Sequence, residues 1–380
     1  MGKRVIFTVT NDLRYDQRMF RICSTLTAAG YEVALVGREL PSSTPLQNQS
    51  YSQTRLKHLL FRKGKLFYIE FNLRLLLFLI FQRFDAVCSI DLDTAIPGIL
   101  ATKIKRKIHL FDAHELFTHT PEVERRKSIQ KIWEAVQKFT FKHTLAAITV
   151  GPAISHYFQE KYKKPVAVVR NMPFQSPTNA SSNQLHPKTP AWQSKIDAFQ
   201  GQPFILYQGA LNESRGLETL IHAMRQIPAM LVIAGEGDLS LPLRQLAKKL
   251  QLEHKILFLG MVTPDELPQL TQQAYIGYNV SENAGLSYYL SLNNKFFDYT
   301  QAHLPSLINP FPEYLALMKE FAVGLPTEPH VEDVIKHANQ LLSDQSMYNA
   351  IKANCKVASA KWTWENETPK LLRFFHNALS

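Results

Sequence analysis

Residues 111–115, FDAHE, close an apolar run with Asp112, His114 and Glu115, where a histidine can pass on a proton or donate a hydrogen bond near neutral pH. A histidine satisfied within an ordinary loop is the plainer reading of the same residues. The run 209–217, GALNESRGL, follows an apolar segment and opens a helical pattern. Free amide N–H groups and the positive end of a helix dipole favour an anion such as phosphate there, and Arg215 adds a mobile charge. A surface arginine on a strand-to-helix turn is the bland alternative. Gly235 and Gly237, in AGEGD, allow close approach of a ligand or merely a sharp bend. In NKFFDY, Lys295 falls in a first helical turn, where a cation is unfavourable unless an anion lies beside it. Asn294 shares that turn, and Asp298 can accept hydrogen bonds from sugar hydroxyls or simply face solvent. Asp91 and Asp93 form a DLD run of the kind that holds divalent metal, but alternate residues of extended chain point opposite ways. We assign them to loop fixing, with Asp93 as an N-cap.

The elements that must position these residues alternate. The apolar run 4–10 is followed by a helical pattern ending at Gly30 and a second apolar run, 33–36, a βαβ opening with no GxGxxG after its strand. Further strands are expected at 86–90, 108–111 and 147–150, with helices at 66–84, 95–104 and 127–144. A Ser-, Pro- and Asn-rich stretch follows, and alternation restarts at 204–207. The expected division is an N-terminal Rossmann-like domain over 1–173, a linker over 174–200, a second Rossmann-like domain over 201–360 and a C-terminal helix over 361–380. Two such domains would face each other across a cleft at the carboxyl edges of their sheets.

Composition narrows the function. With three widely spaced cysteines among 380 residues and no CxxC, neither a disulfide framework nor a structural zinc is indicated, and a reducing compartment fits. The first amino acids turn polar too soon for a signal peptide. The net charge is +11, yet residues 1–173 hold 27 Lys+Arg against 14 Asp+Glu and the remainder 16 against 18. An anionic partner for the N-terminal half is therefore expected, a membrane surface or a phosphorylated acceptor rather than nucleic acid. Basic clusters at Arg62-Lys63-Lys65, Lys103-Lys105-Arg106-Lys107 and Arg125-Arg126-Lys127 are the candidates. The helix at 66–84 is apolar nearly all round, which reads as buried more than membrane-lying.

Taken together with Asn11-Asp12-Leu13, Asp16-Gln17-Arg18 and Arg170-Asn171-Met172-Pro173, these motifs resemble the family 4 (group 1) retaining glycosyltransferases of the GT-B fold, bacterial branch, over nearly the whole chain. The resemblance implies transfer of a sugar from a nucleotide diphosphate sugar to a saccharide or lipid-linked acceptor, with retention, in cell-surface glycan synthesis. It implies His114, Arg215 and Lys295 as catalytic, with Gly209, Gly235, Gly237, Asn294 and Asp298 around the donor. Asp16, Arg18 and Glu115 would lie on the acceptor side. The donor is a co-substrate, and no cofactor or metal is implied. The location expected is the cytoplasm, at the inner face of the plasma membrane. Two family positions differ: Leu290 stands where the first acid of an E-x7-E element belongs, and Ala210 where an arginine is usual. A nucleotide-sugar epimerase and a catalytically weakened partner of the same fold are the alternatives.

Overall fold

The computed structural model describes residues 2–14, 16–41, 43–57, 60–61, 64–175 and 189–380. Arg62, Lys63 and the centre of the expected linker, 176–188, lie outside the described residues, as does the side chain of Lys65. The chain divides into two compact units: Met1–Asn171 with Gly285–Ser291 and Trp364–Ser380, and Met172–Ala284 with Leu292–Thr363.

The first unit holds strands β1 (Arg4–Thr8), β2 (Glu32–Arg38), β3 (Ser52–Leu56), β4 (Ala86–Ile90), β5 (Ile108–Ala113), β6 (Ala146–Thr149) and β7 (Val166–Val168). They pair in parallel in the order β3-β2-β1-β4-β5-β6-β7. β1 reads RVIFT because a parallel strand covered on both faces can use apolar residues at successive positions. Val5 and Phe7 pack with Leu371 and Phe375 of the terminal helix Trp364–Leu379, whereas Ile6 packs with Phe67, Phe71, Leu75 and Leu79 of the helix Gly64–Phe81. Trp364 Nε1 donates to Thr25 Oγ1 at 2.8 Å, fastening the terminal helix onto Gln17–Ala28. The helix Gly64–Phe81 is not buried all round. Its i, i+4 stripe from Phe67 to Leu79 is covered, while Leu66, Ile69, Leu73, Leu77 and Phe81 remain exposed. Only one side of a helix can meet the sheet, so uniform apolarity could not say which residues would be covered.

The second unit holds β8 (Phe204–Gln208), β9 (Met230–Ala234), β10 (Ile256–Gly260), β11 (Ile276–Asn279), β12 (Ser306–Ile308) and β13 (Gly324–Pro326), parallel in the order β10-β9-β8-β11-β12-β13. Part of the stretch read as linker is packed core: Trp192, Ile196 and Phe199, on and beside the short helix Gln193–Asp197, are buried with Phe204, Leu206 and Leu304. Both sheets reverse strand order beside their first strand, between β1 and β4 and between β8 and β11. The carboxyl ends of strands at such a reversal are where doubly wound sheets hold ligands.

Candidate functional site

In the first unit, the carboxyl ends of β4 and β5 carry a buried charge network. Arg18, near the start of the helix Gln17–Ala28, donates from Nη2 to Asp112 Oδ1 at 3.0 Å and from Nε to Oδ2 at 3.2 Å. Its Nη1 donates to the carbonyl oxygen of Val169 at 2.8 Å. Both partners of this bidentate pair are almost without exposure. Burial alone would raise the Asp112 carboxyl, but the Arg18 guanidinium and His114 overcome it and hold it at about 2. Asp112 Oδ2 lies 3.2 Å from His114 Nε2. Burial opposes a charge on that imidazole, yet Asp112 and Asp91 outweigh it and raise the His114 pKa above its ordinary value. The geometry therefore fixes Nε2 on Asp112 and leaves Nδ1 for a ligand, the arrangement by which a carboxylate orients a histidine.

Asp91, at the end of β4, accepts from the His114 backbone N–H at 2.9 Å. Its own backbone stands at φ 52°, a strained conformation for a non-glycine residue that this hydrogen bond helps to hold. Burial pushes the Asp91 carboxyl above the usual carboxylate range against the pull of His114. Burial likewise lifts Asp93 to about 6, although its carboxylate accepts from the Thr10 hydroxyl at 2.5 Å. Asp112, held by Arg18, thus stays ionised and orients His114, while Asp91 and Asp93 fix the loop through His114 N–H and Thr10.

In the second unit, the β8 and β9 ends meet glycine to glycine. Gly209 and Gly235 have φ of 135° and 148°, and a Cβ built on Gly235 would stand 1.9 Å from the Gly209 carbonyl oxygen. Gly235→Ala is therefore expected to destabilise this unit by more than about 2 kcal/mol, read from the urea midpoint. Gly209 N–H donates to Ala234 O and Leu211 N–H to Glu236 O, at 3.0 and 3.2 Å. These two amides are engaged in holding the turn. Lys295, in the first turn of the helix Asn294–Gln301, is buried, with Nζ 4.1 Å above the centre of the Tyr207 ring. Its Nζ also approaches to 3.9 Å of the Cβ position of Gly209. Among the described residues this ammonium makes no ion pair. Burial first, and then the nearby Arg215 guanidinium, hold its pKa well below the ordinary lysine value, while Asp298 pulls the other way. A buried ammonium over an aromatic face, with the Arg215 guanidinium near enough to oppose its charge, is an arrangement that an anion would relieve.

Asp298 is half-buried and accepts from Gln208 Nε2 at 3.2 Å, and Gln208 Oε1 in turn accepts from the Thr271 hydroxyl at 2.8 Å. Asn294 is exposed at the same helix start. Gly237 belongs to the turn itself, its N–H donating to Ser240 Oγ at 2.9 Å. Arg215, Lys295, Gly209, Gly235 and Asp298 are thus gathered within the second unit, and His114 with Asp112 and Asp91 within the first.

The acceptor-side residues stand differently. Arg18 is buried against Asp112, and Asp16 caps the helix Gln17–Ala28, accepting from Met19 N–H at 3.0 Å and from Asn11 Nδ2 at 2.7 Å. The first helix thus spends these two polar groups on its own cap and on β5. Glu115 is exposed. Asp93 makes no N-cap: Thr94 precedes the helix Ala95–Lys105, and Asp93 bonds Thr10. Leu290 packs with the apolar cluster of Phe111, Phe141 and Phe158 in the first unit. Tyr207, Gln208 and Thr271 were not singled out from the sequence. An aromatic two residues before the Gly209 turn is the only trace Tyr207 leaves.

Among the described residues no helix is long and apolar enough to cross a membrane, and no cluster of three or more His, Cys, Asp and Glu side chains could hold a metal ion.

Residues 188–357 match the family model described as glycosyl transferases group 1, and residues 17–172 match that described as glycosyltransferase family 4. An uncharacterized glycosyltransferase of Methanocaldococcus jannaschii is 27% identical over 203 residues, which span 50% of this chain and 50% of that relative. Among solved structures, sucrose-phosphate synthase from Thermosynechococcus elongatus superposes with a TM-score of 0.80 at 14% identity, over 99% of each chain. Anabaena HepE in complex with UDP and glucose superposes with a TM-score of 0.73 at 14% identity, over 99% of this chain and 100% of that one. These likenesses give two parallel-sheet α/β domains of the GT-B fold. With one model matched by each half of the sequence, the chain belongs to the group 1, family 4 glycosyltransferases.

Proposed function

We propose that this glycosyltransferase moves a hexosyl group, with retention, from a nucleotide diphosphate sugar to a saccharide or lipid-linked acceptor in cell-surface glycan assembly, working in the cytoplasm at the inner face of the plasma membrane. The single observation carrying the reading is the Lys295 ammonium, buried over the Tyr207 ring beside the Gly209 turn. A departing diphosphate develops negative charge, and fixed cations that need no reorganisation stabilise it most where water is excluded. The UDP bound to HepE supports a donor of that chemical class. Protein cations take the role a metal plays in other transferases, so the reading requires none. Asp298, held by Gln208, would receive donor sugar hydroxyls. On the first unit His114, oriented by Asp112, would offer Nδ1 to a sugar hydroxyl.

Thermal-shift measurements with UDP, GDP, ADP and their sugars test the reading, because a ligand binding only the folded chain raises its melting temperature. At least one of these is expected to do so, and Arg215→Ala to abolish the shift while leaving the unliganded melting temperature unchanged. A shift undiminished in Arg215→Ala overturns the diphosphate assignment. Turnover of the donor with no acceptor present would favour the epimerase instead.

A further inference from the structure

We infer that the first unit docks on an anionic lipid bilayer through the outer face of its helices Gly64–Phe81, Ala95–Lys105 and Lys127–His143. The inference gives a surface to the membrane location named above, and it stands apart from the transfer chemistry. On the first helix, Leu66, Ile69, Leu73, Leu77 and Phe81 recur at helical spacing opposite the buried stripe, with Ile69 63% and Phe81 83% exposed. The second helix continues the surface with Ile96, Leu100 and Ile104, the last 62% exposed. Scattered apolar residues are ordinary on a protein surface, but two aligned stripes on adjoining helices are not.

The three helices are fastened together. Lys105 Nζ donates to the carbonyl oxygens of Ile80 at 2.9 Å and of Gln82, tying the carboxyl end of the second helix to that of the first. The Tyr68 and Trp133 rings meet at 6.0 Å between the first helix and the third, and Lys103 Nζ stands 5.4 Å from the Phe139 ring centre between the second and the third. Around the apolar stripes the charge is one-sided. Residues 64–83, 95–107 and 127–143 contain 11 Lys+Arg and two Asp+Glu. Of the two acids, Glu70 is buried and bonded to Arg74 and to the Leu60 and Phe61 N–H groups. Arg83, Lys103, Arg106, Lys131, Lys138 and Lys142 are exposed. An apolar face rimmed by basic side chains suits the boundary between headgroups and acyl chains of an anionic leaflet. A second copy of the chain suits it poorly, because self-association would bring two faces of the same sign together.

Flotation of the 380-residue chain with vesicles tests this. The chain is expected to float with phosphatidylcholine vesicles containing one third phosphatidylglycerol, to float poorly with phosphatidylcholine alone, and to be released by high salt. Leu73→Gln/Leu77→Gln and Arg83→Glu/Arg106→Glu, all at solvent-facing positions, are each expected to reduce flotation by about tenfold without changing the melting temperature. A wild-type chain that stays out of anionic vesicles, or flotation unaffected by both pairs, overturns the inference. So does a concentration-dependent dimer, seen by sedimentation velocity, that these substitutions dissolve, which would give the face to a second copy. Nucleotide-induced thermal shifts in the same variants are expected to persist, so that failure of docking and failure of the transfer reading can be told apart.

Discussion

Lys295→Met is expected to lower kcat/KM for sugar transfer by about 10²–10³, the loss found when one preorganised donor to a developing negative charge is removed. The folded chain should tolerate the change, since methionine is close to lysine in length and its sulfur packs well on an aromatic ring such as that of Tyr207. Removing a buried cation held beside Arg215 also relieves a desolvation cost and a like-charge repulsion. The unliganded melting temperature is therefore expected to stay level or rise while activity falls, a combination that misfolding does not produce.

Arg18→Ala is expected to destabilise the chain by about 3–5 kcal/mol, because removing one partner of a buried ion pair leaves the other charge uncompensated. Urea denaturation followed by fluorescence measures the loss. Arg18→Lys should recover only part of it, since an ammonium cannot reproduce the two parallel bonds from Nε and Nη2 to Asp112. The dependence on pH has a definite sign. The Asp112 carboxyl is held at about 2, below its ordinary value. The stability it contributes is present above the ordinary carboxylate range and is lost as pH falls toward 2. That acid slope should be shallower in Arg18→Ala. Where the variant remains folded, His114 becomes the sole counter-ion of Asp112, so its NMR titration should move to higher pH.

Strands covered on both faces were legible as unbroken apolar runs, β1 as RVIFT and β9 as MLVIA. The edge strands β3, with SQTRL, and β13, with GLP, were not, because a strand paired on one side only can carry polar residues or proline. Lys295 could be singled out because a cation in a first helical turn conflicts with the helix dipole, a conflict visible in one dimension. Its seat on Tyr207 could not, since it depends on β8 lying beside the helix Asn294–Gln301. Arg18 shows the same limit. Read next to Asp16 it belonged to an acceptor loop, whereas its partner Asp112 lies 94 positions away and is brought to it only by the sheet. The helix Gly64–Phe81 was legible as an element but not in its facing, which the sequence left undetermined by being apolar at nearly every position.

Calorimetric titration of the wild type, Arg215→Ala and Lys295→Met with UDP, GDP and ADP bears most directly on the anion site of the second unit. At least one nucleoside diphosphate is expected to bind the wild type, with each substitution weakening it by about tenfold or more, a difference of about 1.4 kcal/mol. Absence of binding by all three, or equal affinity across the three proteins, would contradict the assignment of Arg215 and Lys295 to the diphosphate.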